Sequence, residues 1–314
     1  MRLFLGIDTS NYTTSVAIYD SETKNVISEK MLLPVKEGEK GIRQSDAVFH
    51  HTQQIRELLP KVLNSVEGEI EAVTVSTKPR FVEGSYMPCF TVGQTVATAV
   101  SSALGVPLFE VSHQEGHVMA ALYSANKFEL LEKNFLAFHV SGGTTESLLI
   151  SKSERCPVSA KTLGTSSDLK AGQAIDRVGV MLGLQFPCGI ELEKLALKST
   201  LDIPKLKASM NGTDCSLSGI ENKCKMMFDE GKSPEDISLY CLKSIETALK
   251  AMLSSIMTDD LLPVVFSGGV MSNSILQKGL REYCDSLGCD SYFAEPQYSS
   301  DNAVGVAILG SLMI

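Results

Sequence analysis

A unit made of a strand, a polar turn and a second strand occurs twice in this chain. Segments with helical spacing follow each copy. The strands are predicted at residues 3–7 and 15–19 in the first copy, and at 135–140 and 147–150 in the second. Strands that alternate with helices in this way build layered α/β domains. With 314 residues, the chain is long enough for two such domains of ordinary size.

The segments between and after the two hairpins complete this pattern. Apolar residues recur at helical spacing in five segments, 45–63, 86–104, 171–182, 234–257 and 274–287. Two short apolar runs, 73–76 and 263–266, are flanked by turn signals and predict buried strands. The order of elements therefore predicts two similar α/β halves.

Three glycine-rich or hydroxyl-rich turns follow predicted strands. Residues 8–14 and 141–146 form the hairpin turns, and Gly268 and Gly269 follow the buried strand near 263–266. Such turns direct backbone N–H groups and hydroxyls toward one point, where phosphate oxygens can bind. Asn273, at a predicted helix start, offers both a donor and an acceptor. Each turn alone could simply reverse the chain, but two at equivalent places favour a nucleotide held between the halves.

His113 and His117 lie four residues apart in Ser-His-Gln-Glu-Gly-His. On a helix both imidazoles project from one face and can bind one metal ion. Ser112 and Glu115 have the spacing of a capping box, which predicts that the helix begins here. Glu115 is the second residue after His113, not the first, so the motif differs from that of zinc proteases. The alternative is two ordinary polar residues at a helix start.

Composition limits the partners and the compartment. Hydrophobic residues make up 44% and charged residues 21% of the chain, and the net charge is −9 with no basic run. A protein that binds nucleic acid unaided is expected to be more basic, so a nucleic-acid substrate would require partner proteins; the alternative is a small-molecule substrate. The eight cysteines show no Cys-x-x-Cys pair. This pattern, with no predicted leader or membrane span, predicts a cytoplasmic protein.

Several of these motifs, in this order, resemble the TsaD family of tRNA threonylcarbamoyladenosine transferases, formerly described as O-sialoglycoprotein endopeptidases or glycoproteases. The resemblance extends from Leu5 to about Gly310. The matching segments are 6–10, 113–117, 140–143, 171–177, 186–189, 216–219, 267–270 and 300–303. It implies two actin- and Hsp70-like (ribonuclease-H-like) ATPase domains of α/β class with a nucleotide cleft between them. The expected boundaries are 1–112, completed by a helix at 301–314, then a metal-binding helix and connection at 113–134, and a second domain at 135–300.

The resemblance also implies an activity and a set of site residues. The family transfers a threonylcarbamoyl group from its adenylate to an adenosine beside the anticodon of certain tRNAs, in multi-protein complexes; a dimer is the other expected assembly. One iron or zinc ion would be bound by His113, His117 and Asp301. An ATP- or AMP-type nucleotide, with or without Mg²⁺, would contact Val140, Ser141, Gly142, Gly143, Thr144, Asp176, Gly189, Gly268, Gly269 and Asn273. The candidate catalytic residues are Asp8, which could hold hydrated Mg²⁺, Thr9 and Tyr12.

The chain departs from the family pattern at the first turn. The family's Thr-Ser-Cys-Asp-Glu-Thr is replaced by Thr9-Ser10-Asn11-Tyr12-Thr13-Thr14, which removes both acids. A phenol with an ordinary pKa near 10 is a poor general base at neutral pH. The sequence thus leaves open a carbamoyl transferase, a nucleotide-binding regulatory or scaffold paralogue and, least favoured, a metalloprotease.

Overall fold

The computed structural model describes residues 1–10, 12–34, 42–203, 205–257 and 261–314. Packing contacts divide the chain into two units. The first comprises Met1–Lys133, Ser151–Ala160 and Ser300–Ile314, and the second comprises Asn134–Ile150 and Lys161–Ser299. Asn11, in the predicted first turn, lies outside the described residues.

The strands of the described residues belong to two five-stranded sheets and one small hairpin. In chain order they are β1 (Arg2–Ser10), β2 (Thr13–Asp20), β3 (Asn25–Leu32), β4 (Glu69–Lys78), β5 (Leu108–Ser112), β6 (Phe135–Val140), β7 (Thr145–Ser151), β8 (Ser159–Thr165), β9 (Ser209–Asn211), β10 (Asp214–Ser216), β11 (Val264–Ser267) and β12 (Ser291–Phe293).

The helices pack against these sheets. In chain order they are α1 (Gln44–Leu63), α2 (Phe90–Leu104), α3 (His113–Ser124), α4 (Ala171–Met181), α5 (Gly189–Ala196), α6 (Ser218–Asp229), α7 (Pro234–Ile256), α8 (Ser274–Leu287), α9 (Pro296–Ser299) and α10 (Val304–Leu312). Two 3₁₀ turns span Phe128–Glu132 and Gly269–Ser272. Among the helices that the structure describes, none is both long and apolar enough to cross a membrane.

The sheet of the first unit has the order β3-β2-β1-β4-β5. Strands β1, β2 and β3 are antiparallel, whereas β4 and β5 run parallel to β1. Residues of a strand alternate between its two faces. Ile7 and Thr9 of β1 face Gly93 of α2, and Gly6 faces Ala303 and Ala307 at α10. Helices therefore cover both faces of β1, which explains why almost every residue of this strand is buried.

The sheet of the second unit repeats this order as β8-β7-β6-β11-β12. Strand β7 is antiparallel to β6, whereas β11 and β12 are parallel to it. A hydrophobic core in this unit includes Phe138, Phe266 and Leu242. The predicted duplication of a hairpin followed by helices and a further buried strand is confirmed, and the structure adds that the further strands run parallel to the first strand of each hairpin.

The predicted turns are longer than those observed. Pairing in the first hairpin continues to Ser10 and Thr13, so Asp8 and Thr9 lie inside β1 rather than in the turn. Pairing of Val140 with Thr145 shortens the second turn in the same way. Polar composition predicts turns at these residues, but ladder hydrogen bonds extend each strand into them. The helix predicted from residue 86 begins at Phe90, beyond Pro88, which disfavours helix in the residue before it.

The segment 113–134, which the sequence prediction set apart as a connection, falls within the first unit as far as Lys133. Residues 151–160, predicted as part of the second domain, also belong to the first unit. Ser300–Ile314 joins the same unit. The parts of the chain that surround the histidine pair thus come from distant stretches of sequence.

Candidate metal centre and nucleotide-binding turns

Helix α3 begins at His113 because a capping box holds its first turn. The Ser112 hydroxyl accepts from the Glu115 backbone N–H at 3.2 Å, and the Ser112 N–H donates to Glu115 Oε2 at 2.7 Å. Both donors would otherwise lack helical partners. The predicted capping box is confirmed, and it places His113 and His117 one turn apart on one face.

Two glycines bring α10 against α3. A Cβ on Gly305 would overlap the carbonyl oxygen of Gly116 and would lie 2.6 Å from the backbone nitrogen of Ala120. Such close approach of two helices requires residues without side chains. The turn before α10 is held by the Ala303 N–H, which donates to Ser15 Oγ at 2.8 Å. Asp301, in this turn, therefore reaches the N-terminal end of α3.

His113, His117 and Asp301 bring their ligand atoms within 4.8 Å of one another. His113 Nε2 and His117 Nε2 are 2.9 Å apart, and Asp301 Oδ1 lies 3.5 Å and 3.2 Å from them. Two imidazole nitrogens and one carboxylate oxygen form a donor set that suits zinc or iron, and three protein ligands leave positions open for substrate. The residues present thus fit the metal ion that the family resemblance implies.

Asp8 approaches the triad from β1. The residue is 1% exposed, and its Oδ2 lies 2.7 Å from His113 Nδ1, the ring nitrogen that does not face the triad. Its Oδ1 accepts from the Ser10 N–H at 2.8 Å. Both carboxylate oxygens of Asp8 therefore have partners within the protein.

The carboxylates dominate the electrostatics of this site. Burial alone would lower the pKa of His113, but Asp8 and Asp301 raise it to about 10. Burial would raise the pKa of Asp301, yet hydrogen bonds from both histidines lower it well below its usual range. A site that favours positive charge on an imidazole also favours a bound cation.

Both carboxylate oxygens of Glu115 have partners outside the triad. Its Oε2 closes the capping box, and its Oε1 pairs with Arg155 Nη2. The Arg155 guanidinium carbon lies 3.5 Å from the centroid of the Phe81 ring. Glu115 is 1% exposed and is held as a structural anion. Arg155 was missed in the sequence because nothing in its local pattern points to residues 40 positions away.

The other two candidate catalytic residues have different environments. Thr9 is fully buried, and its hydroxyl donates to the Cys89 carbonyl at 3.0 Å and accepts from the Gly93 N–H at 3.1 Å, which ties β1 to α2. Tyr12 is half-buried at the end of the hairpin. The next residue, Thr13, directs its hydroxyl at Asp301 Oδ2, 3.4 Å away.

In the second unit, the turn after β6 packs closely on its neighbours. The Ser141 N–H donates to the Thr144 carbonyl at 2.7 Å, and the Thr144 N–H donates to Ser141 Oγ at 3.1 Å. Gly142 and Gly143 are exposed, with open space where a Cβ would stand. Gly172, at the start of α4, lies so close that its Cβ would be 2.7 Å from the Gly142 nitrogen.

The turn after β11 packs against the same strand end. Gly268 has a φ of +97°, and a Cβ there would overlap the carbonyl oxygen of Val140. Gly269 opens the 3₁₀ turn and has open space at its Cβ position. Asn273 caps α8, since its Oδ1 accepts from the Ile275 and Leu276 N–H groups at 3.1 Å. The helix start predicted at Asn273 is confirmed.

The remaining nucleotide candidates lie beside these turns. Asp176 accepts from the Cys188 N–H at 2.8 Å, which brings it next to Gly189 at the start of α5. Burial raises the pKa of Asp176. Glu193 of α5 accepts from the Ser274 N–H at 2.7 Å, so α5 is tied to the start of α8 beside Asn273. The structure thus brings the second-unit candidates together in two adjacent groups.

The repeated sheet order defines a two-domain α/β protein of the ribonuclease-H-like class. Solved structures show the same fold: HypF of T. kodakarensis has a TM-score of 0.63 at 12% identity and covers 99% of this chain and 46% of its own. The (R)-2-hydroxyglutaryl-CoA dehydratase component A of Acidaminococcus fermentans has a TM-score of 0.55 at 15% identity, covering 99% and 98%. The predicted fold class is confirmed.

The chain belongs to the TsaD family, whose model, described as tRNA N6-adenosine threonylcarbamoyltransferase, matches residues 24–308. A curated tRNA N6-adenosine threonylcarbamoyltransferase of Archaeoglobus fulgidus is 29% identical over 98% of this chain and 90% of its own length. The family membership predicted from the motifs is confirmed.

Proposed function

We propose that this protein transfers a threonylcarbamoyl or closely related carbamoyl group from an adenylate to an adenosine of tRNA. The observation that supports this most directly is the convergence of His113, His117 and Asp301 in a chain that matches the family along most of its length. In the proposed reaction, the adenine amine attacks the carbamoyl carbon. A C–N bond forms, the C–O bond to AMP breaks, and AMP leaves as the amine loses a proton.

The triad would hold one ion through His113 Nε2, His117 Nε2 and Asp301 Oδ1. Iron and zinc both suit this donor set. When bound, the ion supplies Lewis acidity toward a carbonyl or phosphate oxygen. The protein's own contribution is to keep the three ligand atoms together, which the capping box of α3 and the glycine contact between α3 and α10 achieve.

The adenylate would be bound by the turns of the second unit. The exposed Gly142 and Gly143 offer approach to backbone N–H groups, which suits phosphate oxygens. Asp176 and Gly189 would contact the nucleoside, where a carboxylate accepts from ribose hydroxyls and bare backbone permits close packing. Val140, Ser141, Thr144, Gly268, Gly269 and Asn273 would complete this surface, with Mg²⁺ as an optional companion of the phosphates.

The altered first turn concerns how the attacking amine loses its proton. Tyr12 and Thr13 replace two family acids, and Thr13 contacts Asp301. We propose that the first turn supplies hydrogen bonding to the site rather than a carboxylate base. A protein of net charge −9 would acquire its tRNA contacts from partner proteins in a cytoplasmic complex.

The test is transfer by purified protein loaded with Fe²⁺ or Zn²⁺, supplied with threonylcarbamoyl adenylate, unmodified tRNA and a cell extract of its own source depleted of this protein. Mass spectrometry of the digested tRNA should show the modified adenosine. His117→Ala should abolish it, whereas His50→Ala, a histidine of α1 outside the triad, should not. If the protein bound metal and nucleotide yet no modified adenosine formed, the transferase proposal would fail in favour of a regulatory paralogue.

A further inference from the structure

Asp8 is a buried carboxylate beside the candidate metal centre and is not itself among the three ligands. It lies on β1 and is buried, and its Oδ2 is 2.7 Å from His113 Nδ1. Its Oδ1 is held by the Ser10 N–H at 2.8 Å. The backbone of β1 therefore fixes the direction in which this carboxylate meets the ring.

The contact with Asp8 determines which ring nitrogen of His113 carries a hydrogen and which one can bind a metal ion. A carboxylate accepts hydrogen bonds, so the Nδ1 that faces it must carry the hydrogen. When the ring is neutral, its other nitrogen, Nε2, then has the free lone pair that a metal requires. In the structure, His113 Nε2 points to the triad, 2.9 Å from His117 Nε2.

We propose that Asp8 is a positioning residue of the metal centre, which holds His113 in the tautomer and orientation that present Nε2 to the ion. This inference rests on the proposed metal-binding function of the triad. It differs from the roles that the sequence suggested for Asp8, catalysis or Mg²⁺ binding, and it accounts for the partners that both oxygens of Asp8 have within the protein. Carboxylate partners of ligating histidines typically strengthen metal binding by about 10–100-fold.

The position of Asp8 on β1 explains how a buried carboxylate reaches His113. Gly6 and Asp8 project from the same face of β1, since side chains alternate along a strand. Gly6 allows α10 to pack closely against the strand. Asp8, two residues further along on the same face, contacts His113 at the start of α3. Strand β1 thus contacts the helix that follows the third ligand, Asp301, and also carries Asp8, the partner of the first ligand, His113.

The test compares Zn²⁺ affinity, measured by chelator competition, among purified full-length variants. Asp8→Asn keeps the side-chain volume but removes the charge, and we expect Zn²⁺ to bind about 10–100-fold more weakly. The matched control is Asp20→Asn, since Asp20 is also a buried acid of the same sheet with both oxygens bonded locally, at Glu22 and Thr23. Zn²⁺ affinity of that variant should equal that of the wild type.

A second measurement needs no variant. In the ¹¹³Cd-loaded wild type with ¹⁵N-labelled histidine, the His113 spectrum should show hydrogen at Nδ1 and cadmium coupling at Nε2. Coordination through Nδ1, or an Asp8→Asn protein that binds Zn²⁺ as tightly as the wild type, would overturn the positioning role alone. A wild-type protein that binds neither Zn²⁺ nor Cd²⁺ would instead overturn the proposed metal function, and the role of Asp8 with it.

Discussion

Gly116 and Gly305 meet where α3 packs against α10, so closely that a side chain on Gly305 would overlap the Gly116 carbonyl. This contact joins a helix that contributes two candidate ligands to the helix that follows the third. The glycine of the His-Gln-Glu-Gly-His motif therefore has a packing role. It allows residues separated by 184 positions, His117 and Asp301, to come within 3.2 Å.

Replacing Gly305 should separate these helices. For Gly305→Ala we expect a loss of about 1–3 kcal/mol in the free energy of unfolding, because an added methyl in a closely packed site forces the backbone to move. Urea unfolding measures this, and Zn²⁺ affinity should fall as well. The control is Gly219→Ala in the first turn of α6, where a Cβ meets nothing within 4 Å. A Gly305→Ala protein as stable as the wild type would contradict the proposed contact.

Glu115 is predicted to stabilise α3 rather than to take part in chemistry. Glu115→Gln weakens the capping box and removes the charge opposite Arg155, so the free energy of unfolding should fall by about 1–3 kcal/mol. Thermal or urea unfolding checks this. The control is Glu154→Gln, since Glu154 is exposed and immediately precedes Arg155 in the chain. This variant should be as stable as the wild type. A Glu115→Gln protein of normal stability that had lost only its activity would argue for a catalytic Glu115 instead.

The close packing of Gly268 against Val140 leads to a prediction about the second unit. Gly268→Ala places a Cβ against the Val140 carbonyl at a φ of +97°, a conformation that residues with side chains rarely adopt. We expect weaker adenine-nucleotide binding by calorimetry and a stability loss of about 1–3 kcal/mol. The control is Gly269→Ala, since a Cβ at Gly269 meets nothing within 4 Å; this variant should keep the wild-type stability. Equal nucleotide affinity in Gly268→Ala and wild type would show that this turn does not shape the binding surface.

We expect acid to lower the folding stability of the second unit because Asp168 becomes protonated. Partial burial raises the pKa of this carboxyl, but hydrogen bonds from Ser216, Ser218, Leu217 and Leu169 lower it overall. A carboxylate with a lower pKa in the folded state stabilises the protein above its unfolded pKa of about 3.9. That contribution should decline as the pH falls below about 4 toward the folded-state pKa.

The difference in stability between wild type and Asp168→Asn should therefore be largest near neutral pH and should shrink as acid is added. Urea midpoints measured from pH 7 down to pH 3 test this. Asp229→Asn, at an exposed position of α6, should show no such trend. A constant difference between Asp168→Asn and wild type over this range would mean that the four hydrogen bonds do not favour the ionised form.

Local patterns in the sequence were sufficient for several parts of the candidate site. Short strands on either side of a polar turn predicted the two hairpins, and the Ser112 and Glu115 spacing predicted the start of α3. These predictions succeed because capping and strand pairing near a turn involve residues close together in the chain. The third ligand, Asp301, came only from the family resemblance, since no local pattern links it to His113.

The tertiary structure decided how the remaining side chains are used. Composition predicts a polar turn at Asp8 and Thr9, but both lie in β1 and are buried. The partner of Thr9 on α2 is 84 residues away, and the partner of Asp8 on α3 is 105 residues away. Glu115 likewise pairs with Arg155, 40 residues away, because tertiary packing brings the two side chains together. The sequence alone determined which elements form, since short-range hydrogen bonding and periodicity specify them. Only packing between distant segments determined which polar groups meet, because burial and direction depend on contacts that no local pattern encodes.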